Sequence, residues 1–208
     1  MYHVPTFAET DPLTLRELMS AHPLATLITL ASTGLNANPM PLIWHDDGSE
    51  FGTLRGHCAR ANALWQDYSV EHGALAVFQG HTAYISPSWY ATKSETHKVV
   101  PTYNYATVQA QGELVIHDDA TWLLALLNDL TDSHEAKFNT PWSVNDAPAD
   151  YISQMMRAIV GFEIKIKSLM GKWKVSQNQP ARNQAGVSAG LQESGNHDMA
   201  AYVAAKLK

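Results

Sequence analysis

Residues 107–114 (TVQAQGEL) alternate strictly, with Val108, Ala110, Gly112 and Leu114 on one side and Thr107, Gln109, Gln111 and Glu113 on the other. A period of two held over eight residues is the signature of an antiparallel strand with one face on a core and the other in water. The same period returns where Phe162, Ile164 and Ile166 stand between Glu163, Lys165 and Lys167. Residues 24–31 (LATLITLA) are a short run of β-formers that stops at Ser32-Thr33-Gly34. The segment 35–44 is also extended, but Pro39 and Pro41 confine it to an edge or a bulge. Further strands are expected at 51–56 and 74–78, the last resuming over 83–86 after a break at Gly80-His81, and 91–99 reads as a loop.

Helical signals lie between these strands. Asp11-Pro12 opens one with Leu15, Leu18 and Met19 on a single face, and a short one is expected over 60–68. Asp118 is the expected cap of a stronger helix whose stripe is Leu123, Leu126, Leu127 and Leu130. Others fall near 149–159, 182–191 and 197–207. Sequential short strands with inserted helices do not make a βαβ rhythm. The expected class is therefore mainly β with peripheral helices (α+β), an antiparallel barrel. It should occupy residues 1–191 as one domain, with a helical tail over 192–208.

Of 208 residues 45% are hydrophobic, enough for a sizeable core and too many for a disordered chain. No window approaches 18 uninterrupted apolar residues, so no membrane association is expected. The N-terminus has neither a basic start nor an apolar stretch of the kind that targets secretion. Cys58 is the single cysteine, which fits a reducing, cytoplasmic compartment. A net charge of −6 is the wrong sign for gripping a nucleic-acid backbone.

Familiar catalytic patterns fail. Gly186-Val187-Ser188-Ala189-Gly190 matches G-x-S-x-G, but the polar residues before it cannot form the buried strand that a nucleophile elbow needs. Ten histidines show no metal-ligand spacing, so no metal is expected, and no glycine-rich phosphate loop occurs. Four polar clusters remain. In residues 56–65 (GHCARANALW) a strand gives way to a helix, where free backbone N–H groups, the Arg60 fork and His57 suit an anion; a plain helix start with a surface arginine is the alternative. Residues 78–90 (FQGHTAYISPSWY) offer aromatic walls for a flat ligand, or equally a small core under a loop. Residues 100–105 (VPTYNY) place a hydroxyl and an amide before the alternating strand. In residues 171–178 (GKWKVSQN) two lysines straddle a tryptophan, as a ligand contact or a solvated hairpin tip.

Taken in order, these blocks resemble the PaiB-type family of FMN-binding negative transcriptional regulators, from Met1 to about Leu191. The resemblance implies an FMN-binding split β-barrel related to pyridoxamine-phosphate-oxidase-like flavoproteins, and a homodimer with FMN at the subunit interface. By similarity His57, Arg60 and Asn62 lie near the flavin phosphate, with Thr102 and Asn104 opposite. Trp173, Lys174, Gln177 and Asn178 resemble the motif by which such barrels close over the cofactor. No catalytic residue is assigned. The family implies a regulator acting through a DNA or protein partner, although no recognition helix is legible. The alternative is an FMN-dependent oxidoreductase passing electrons from reduced nicotinamide to a small acceptor.

Overall fold

Backbone pairing between segments far apart in the chain organises this protein, and the period-two residues decide which side of each strand is buried. The computed structural model describes residues 1–2 and 4–207. In chain order its elements are strand β1 (Ala8–Glu9), helix α1 (Pro12–Ala21), β2 (Leu24–Ala31), β3 (Gly34–Pro41), β4 (Ile43–His45), β5 (Thr53–Ala59), β6 (Ala74–Ile85), α2 (Lys93–Thr96), β7 (Thr102–His117), α3 (Ala120–Glu135), α4 (Ala149–Met156), β8 (Ile159–Lys174), α5 (Ala181–Glu193) and α6 (His197–Ala204). The strands follow the order β3-β2-β6-β7-β8-β5-β4 in an antiparallel sheet, with β1 added on β8. Only Leu42 separates β3 from β4, yet they stand at opposite ends of this order. The prolines at 39 and 41 thus sit on an edge strand, where a missing donor costs no ladder bond.

The chain forms two compact units. The first comprises Met1–Leu18, Gln79–Val108 and Met170–Lys208, and the second Met19–Phe78 and Gln109–Leu169. In the second unit Ala110, Gly112 and Leu114 of β7 are buried while Gln111 and Glu113 are exposed, as read; in the first unit Thr107, read on the water side, is buried along with Val108. Phe162, Ile164 and Ile166 of β8 are buried as well. Strands β5 and β8 pair so that Leu54 faces Ile164, Gly56 faces Phe162 and Cys58 faces Val160. Helix α3 closes this core with Leu123, Leu126 and Leu130. Its cap is Asp119, one residue later than expected, whose carboxylate accepts the Trp122 N–H at 2.8 Å.

Two other expectations change. The helix read at 60–68 is a single 3-10 turn, Ala63–Trp65. The Arg60 N–H instead pairs with the Ala158 carbonyl at 2.8 Å, and three apolar residues cannot pay for helix nucleation there. Strand β6 runs unbroken through Gly80-His81, and the loop at 91–99 contains the one-turn helix α2.

In the first unit α5 and α6 bury Val187, Leu191, Met199 and Val203, and the boundary expected at 191 falls inside α5. The G-x-S-x-G match lies in the middle of α5. A Cβ at Gly186 would stand 2.1 Å from the Trp89 carbonyl oxygen, and one at Gly190 would overlap the Trp89 indole. These glycines let a helix rest directly on the turn Pro87–Trp89, and Ser188 makes only a 3.5 Å contact to the Ala200 carbonyl. Gly186→Ala is expected to destabilise the fold by about 1–3 kcal/mol, the scale of overpacking. Ser188→Ala should leave the thermal unfolding midpoint nearly unchanged. Equal midpoints for the wild type and the glycine variant in calorimetry would refute this packing role.

Candidate functional site

His57, Arg60 and Asn62 belong to the second unit, at and just beyond the end of β5. His57 pairs in register with Gly161 of β8 and is half-buried, and its Nδ1 is buried with no hydrogen-bond partner. Burial holds the imidazole pKa below its ordinary value, which favours the neutral ring. Cys58 next to it points to the core, where burial pushes the thiol pKa up and keeps it unreactive.

Arg60 is already engaged. Its two terminal nitrogens hold Asp118 at 3.0 and 2.5 Å, Nε donates to the Arg157 carbonyl at 2.9 Å, and Nη2 also reaches the Ile159 carbonyl at 3.1 Å. The guanidinium lies over the Trp65 ring at 5.6 Å, and the Trp65 indole N–H donates to the Arg60 carbonyl. Hydrogen bonding from the guanidinium holds the Asp118 carboxyl below the usual carboxylate range. Asp118 is free for this because Asp119 takes the helix cap. The fork read as open to an anion therefore ties the end of β5 to the start of β8. The expected free backbone N–H groups are filled too: Arg60 by Ala158, Asn62 by Ala59, and Leu64 by the Asn62 side chain. The Asn62 amide also donates to Asn38 at 3.0 Å.

The other six candidates lie in the first unit. Thr102 and Asn104 share one face of β7. The Lys174 ammonium donates to the Thr102 hydroxyl and, at 2.6 Å, to the Tyr103 carbonyl. Its pKa is held down by burial and then by neighbouring Lys172. Asn104 is 1% exposed; its amide donates to Ser176 at 2.9 Å while its carbonyl oxygen is buried without a partner. Ser176 is itself buried and adopts a left-handed backbone (φ 67°), so the chain turns sharply where β8 ends. Gln177 spans that turn, accepting from the Val175 N–H at 2.8 Å and donating to the Trp173 carbonyl at 2.5 Å. Trp173 is buried and Asn178 exposed. Thr102 and Lys174 are thus brought together directly, Gln177 shapes the loop, and Trp173 packs.

Lys172, the other lysine flanking Trp173, is absent from the residues that the resemblance implies, although the alternation of β8 puts it on the face that Lys174 occupies. It is nearly buried, donating to the Tyr2 carbonyl at 3.2 Å and lying 5.4 and 5.6 Å from the Tyr2 and Tyr105 rings. The donor set fits a phosphorylated flavin. In the first unit the buried, unpartnered Asn104 carbonyl oxygen stands with the Lys174 ammonium and the Thr102 hydroxyl, and in the second unit the buried His57 Nδ1 has no hydrogen-bond partner, groups of the kind that hold a phosphorylated ligand. Among the described residues no helix is long and apolar enough to cross a membrane.

Comparison with known proteins gives this architecture its class. The family described as "Putative FMN-binding domain" matches residues 1–168. The flavocytochrome Anf3 of Azotobacter vinelandii superposes with a TM-score of 0.56 at 16% identity, covering 80% of this chain and 69% of that one. The fold is therefore the flavin-binding split β-barrel. An uncharacterized protein of Emericella nidulans is 33% identical over 230 residues, 94% of this chain and 92% of its own. The protease synthase and sporulation protein PAI 2 of Bacillus subtilis is 26% identical over this whole chain and 99% of its own length. The chain belongs to the PaiB-type FMN-binding family, and FMN is the cofactor of its domain.

Two predictions follow the geometry. His57 is held neutral, so its folded pKa lies below the unfolded value of about 6.5. Its contribution to stability is complete above that value and is lost as pH falls below it toward the folded pKa. His57→Gln should flatten the stability change between roughly pH 7 and pH 5, read by denaturant melts at each pH; an unchanged slope would show that the imidazole is not buried neutral. Arg60→Ala should lower the melting temperature, and adding Asp118→Ala should then cost less than it does alone. Loss of flavin affinity with an unchanged melting temperature would instead mean that the guanidinium serves the ligand.

Proposed function

We propose that this chain is a cytoplasmic, flavin-responsive regulator. FMN would be held by His57, Asn62, Thr102, Asn104, Trp173, Lys174, Gln177 and Asn178, and its occupancy would control binding to a DNA or protein partner. The reading is carried by the full-length match to PAI 2, whose name speaks of protease synthesis and sporulation rather than of a substrate. The candidate residues agree with it. A bound flavin supplies electron and hydride chemistry, to which a protein adds placement and proton donors. The Asp118 carboxylate beside the candidates is paired with Arg60 and is not offered for proton transfer. The reading further takes the active species as a homodimer with FMN at the subunit interface. The edges of β3 and β4 and the exposed Leu24 and Leu35 offer surface for a second copy.

The purified protein is expected to bind one FMN per subunit at low micromolar affinity or better. Riboflavin should bind far more weakly, because charge-assisted contacts to the phosphate are the strong ones. Equal affinities in a fluorescence-quenching titration would exclude this assignment. Oxidation of NADH or NADPH with oxygen or a quinone should be slow. FMN-dependent turnover near the ordinary enzyme median of roughly 10 per second would replace the regulator with the oxidoreductase.

A further inference from the structure

The match to the family ends at residue 168, and the charges least accounted for lie just past it. Lys172 is 8% exposed and Lys174 is half-buried, two positions apart on the same face of β8. Among the described residues neither ammonium is ion-paired with a carboxylate. Their partners are the Tyr2 and Tyr103 carbonyls, the Thr102 hydroxyl and the faces of Tyr2 and Tyr105. Such contacts hold an ammonium in place without cancelling its charge. Two like charges so withdrawn from water raise each other's energy, an arrangement that persists where an anion completes it.

The surroundings narrow the anion. Tyr103 and Tyr105 alternate with Thr102 on β7; the Tyr105 ring lies beside Lys172, and Lys174 donates to the Tyr103 carbonyl. Tyr103 packs edge-on against Tyr84 of β6 with ring centroids 5.8 Å apart, the two rings being 61% and 50% exposed, and Tyr2 is 81% exposed. Large aromatic rings left in water beside an uncompensated lysine pair offer π surface and positive charge to one ligand. A nucleic acid strand would need a longer basic track than two lysines on a chain of charge −6. A single flat phosphate monoester needs no more than this.

We propose that Lys172 and Lys174, with the Thr102 hydroxyl, form the anchor for the phosphate dianion of an aromatic phosphate monoester, and that Tyr2, Tyr84 and Tyr103 receive its ring. This rests on the flavin reading above for the identity of the ester as FMN. Removal of either lysine should weaken FMN about 10- to 100-fold and leave riboflavin nearly unaffected. Because the pair is mutually repulsive, Lys174→Met should melt no lower than wild type without ligand, while losing the rise in melting temperature that FMN gives.

The test titrates wild type, Lys172→Met, Lys174→Met and Thr102→Val with FMN, riboflavin and inorganic phosphate. Reductive methylation of lysines, mapped by mass spectrometry, gives a readout independent of affinity. Protection of Lys172 and Lys174 by FMN but not riboflavin, with the affinity losses above, is the expected result. Tight FMN binding that survives both lysine substitutions, or equal loss of FMN and riboflavin, would overturn the anchor and leave the flavin reading standing. Protection of both lysines by inorganic phosphate, with no FMN binding by wild type, would keep the anchor and overturn the flavin reading. Should either lysine variant fail to fold, Thr102→Val and the methylation map of wild type decide the same question.

Discussion

Strands β7 and β8 are each sixteen residues long, and every other structural decision in the molecule is made relative to them. Their inward residues must be buried on the same side as those of the strands beside them. A slip of one position would turn Phe162, Ile164 and Ile166 into water and bring Glu163, Lys165 and Lys167 inside. That penalty sets the register of β5 against β8. The register in turn places His57 opposite Gly161 and carries Lys172 and Lys174 on one face near the end of β8.

With the backbone set, electrostatics divides the polar residues into those that hold the fold and those left for a ligand. Arg60 and Asp118 belong to the first group, since a bidentate pair supplemented by two carbonyls uses the fork fully. His57, Asn104, Lys172 and Lys174 belong to the second. Each carries buried polarity or charge that its protein neighbours leave incompletely met, and a protein keeps such groups at a cost in stability. The proposed cofactor site of this acidic chain draws on the second group. Several of the chain's surface cations are paired with carboxylates, whereas among the described residues Lys172 and Lys174 are not.

Strands were legible from the sequence wherever one face meets a core and the other meets water, because alternation is then a direct record of burial. Pro39 and Pro41 confined residues 35–44 to an edge or a bulge for a similarly local reason, and the structure divides that segment between the two edge strands β3 and β4. The short helix expected over 60–68 was not realised, since Leu64, Trp65 and Tyr68 satisfy a helical spacing that the Arg60 backbone overrides by pairing with Ala158. The glycines of the G-x-S-x-G match looked like chance. Their purpose, clearance for Trp89, depends on a contact a hundred residues away in the chain that no local pattern announces.

The candidate site divides in the same way. The types of residue it contains, hydroxyl, amide, imidazole and ammonium around aromatic rings, stand in the sequence, and it is the resemblance to an FMN-binding family that singles out a phosphorylated flat ligand over a small core or a solvated tip. Which of them are free to bind it was decided by tertiary structure alone. Arg60 is occupied because Asp118, 58 positions away, folds against it, and Lys172 stands out because among the described residues no carboxylate pairs with it. Local pattern governs backbone conformation and burial, since both act between near neighbours in the chain. Charge and hydrogen-bond pairing act through space, and only the completed fold determines which distant partners come within reach.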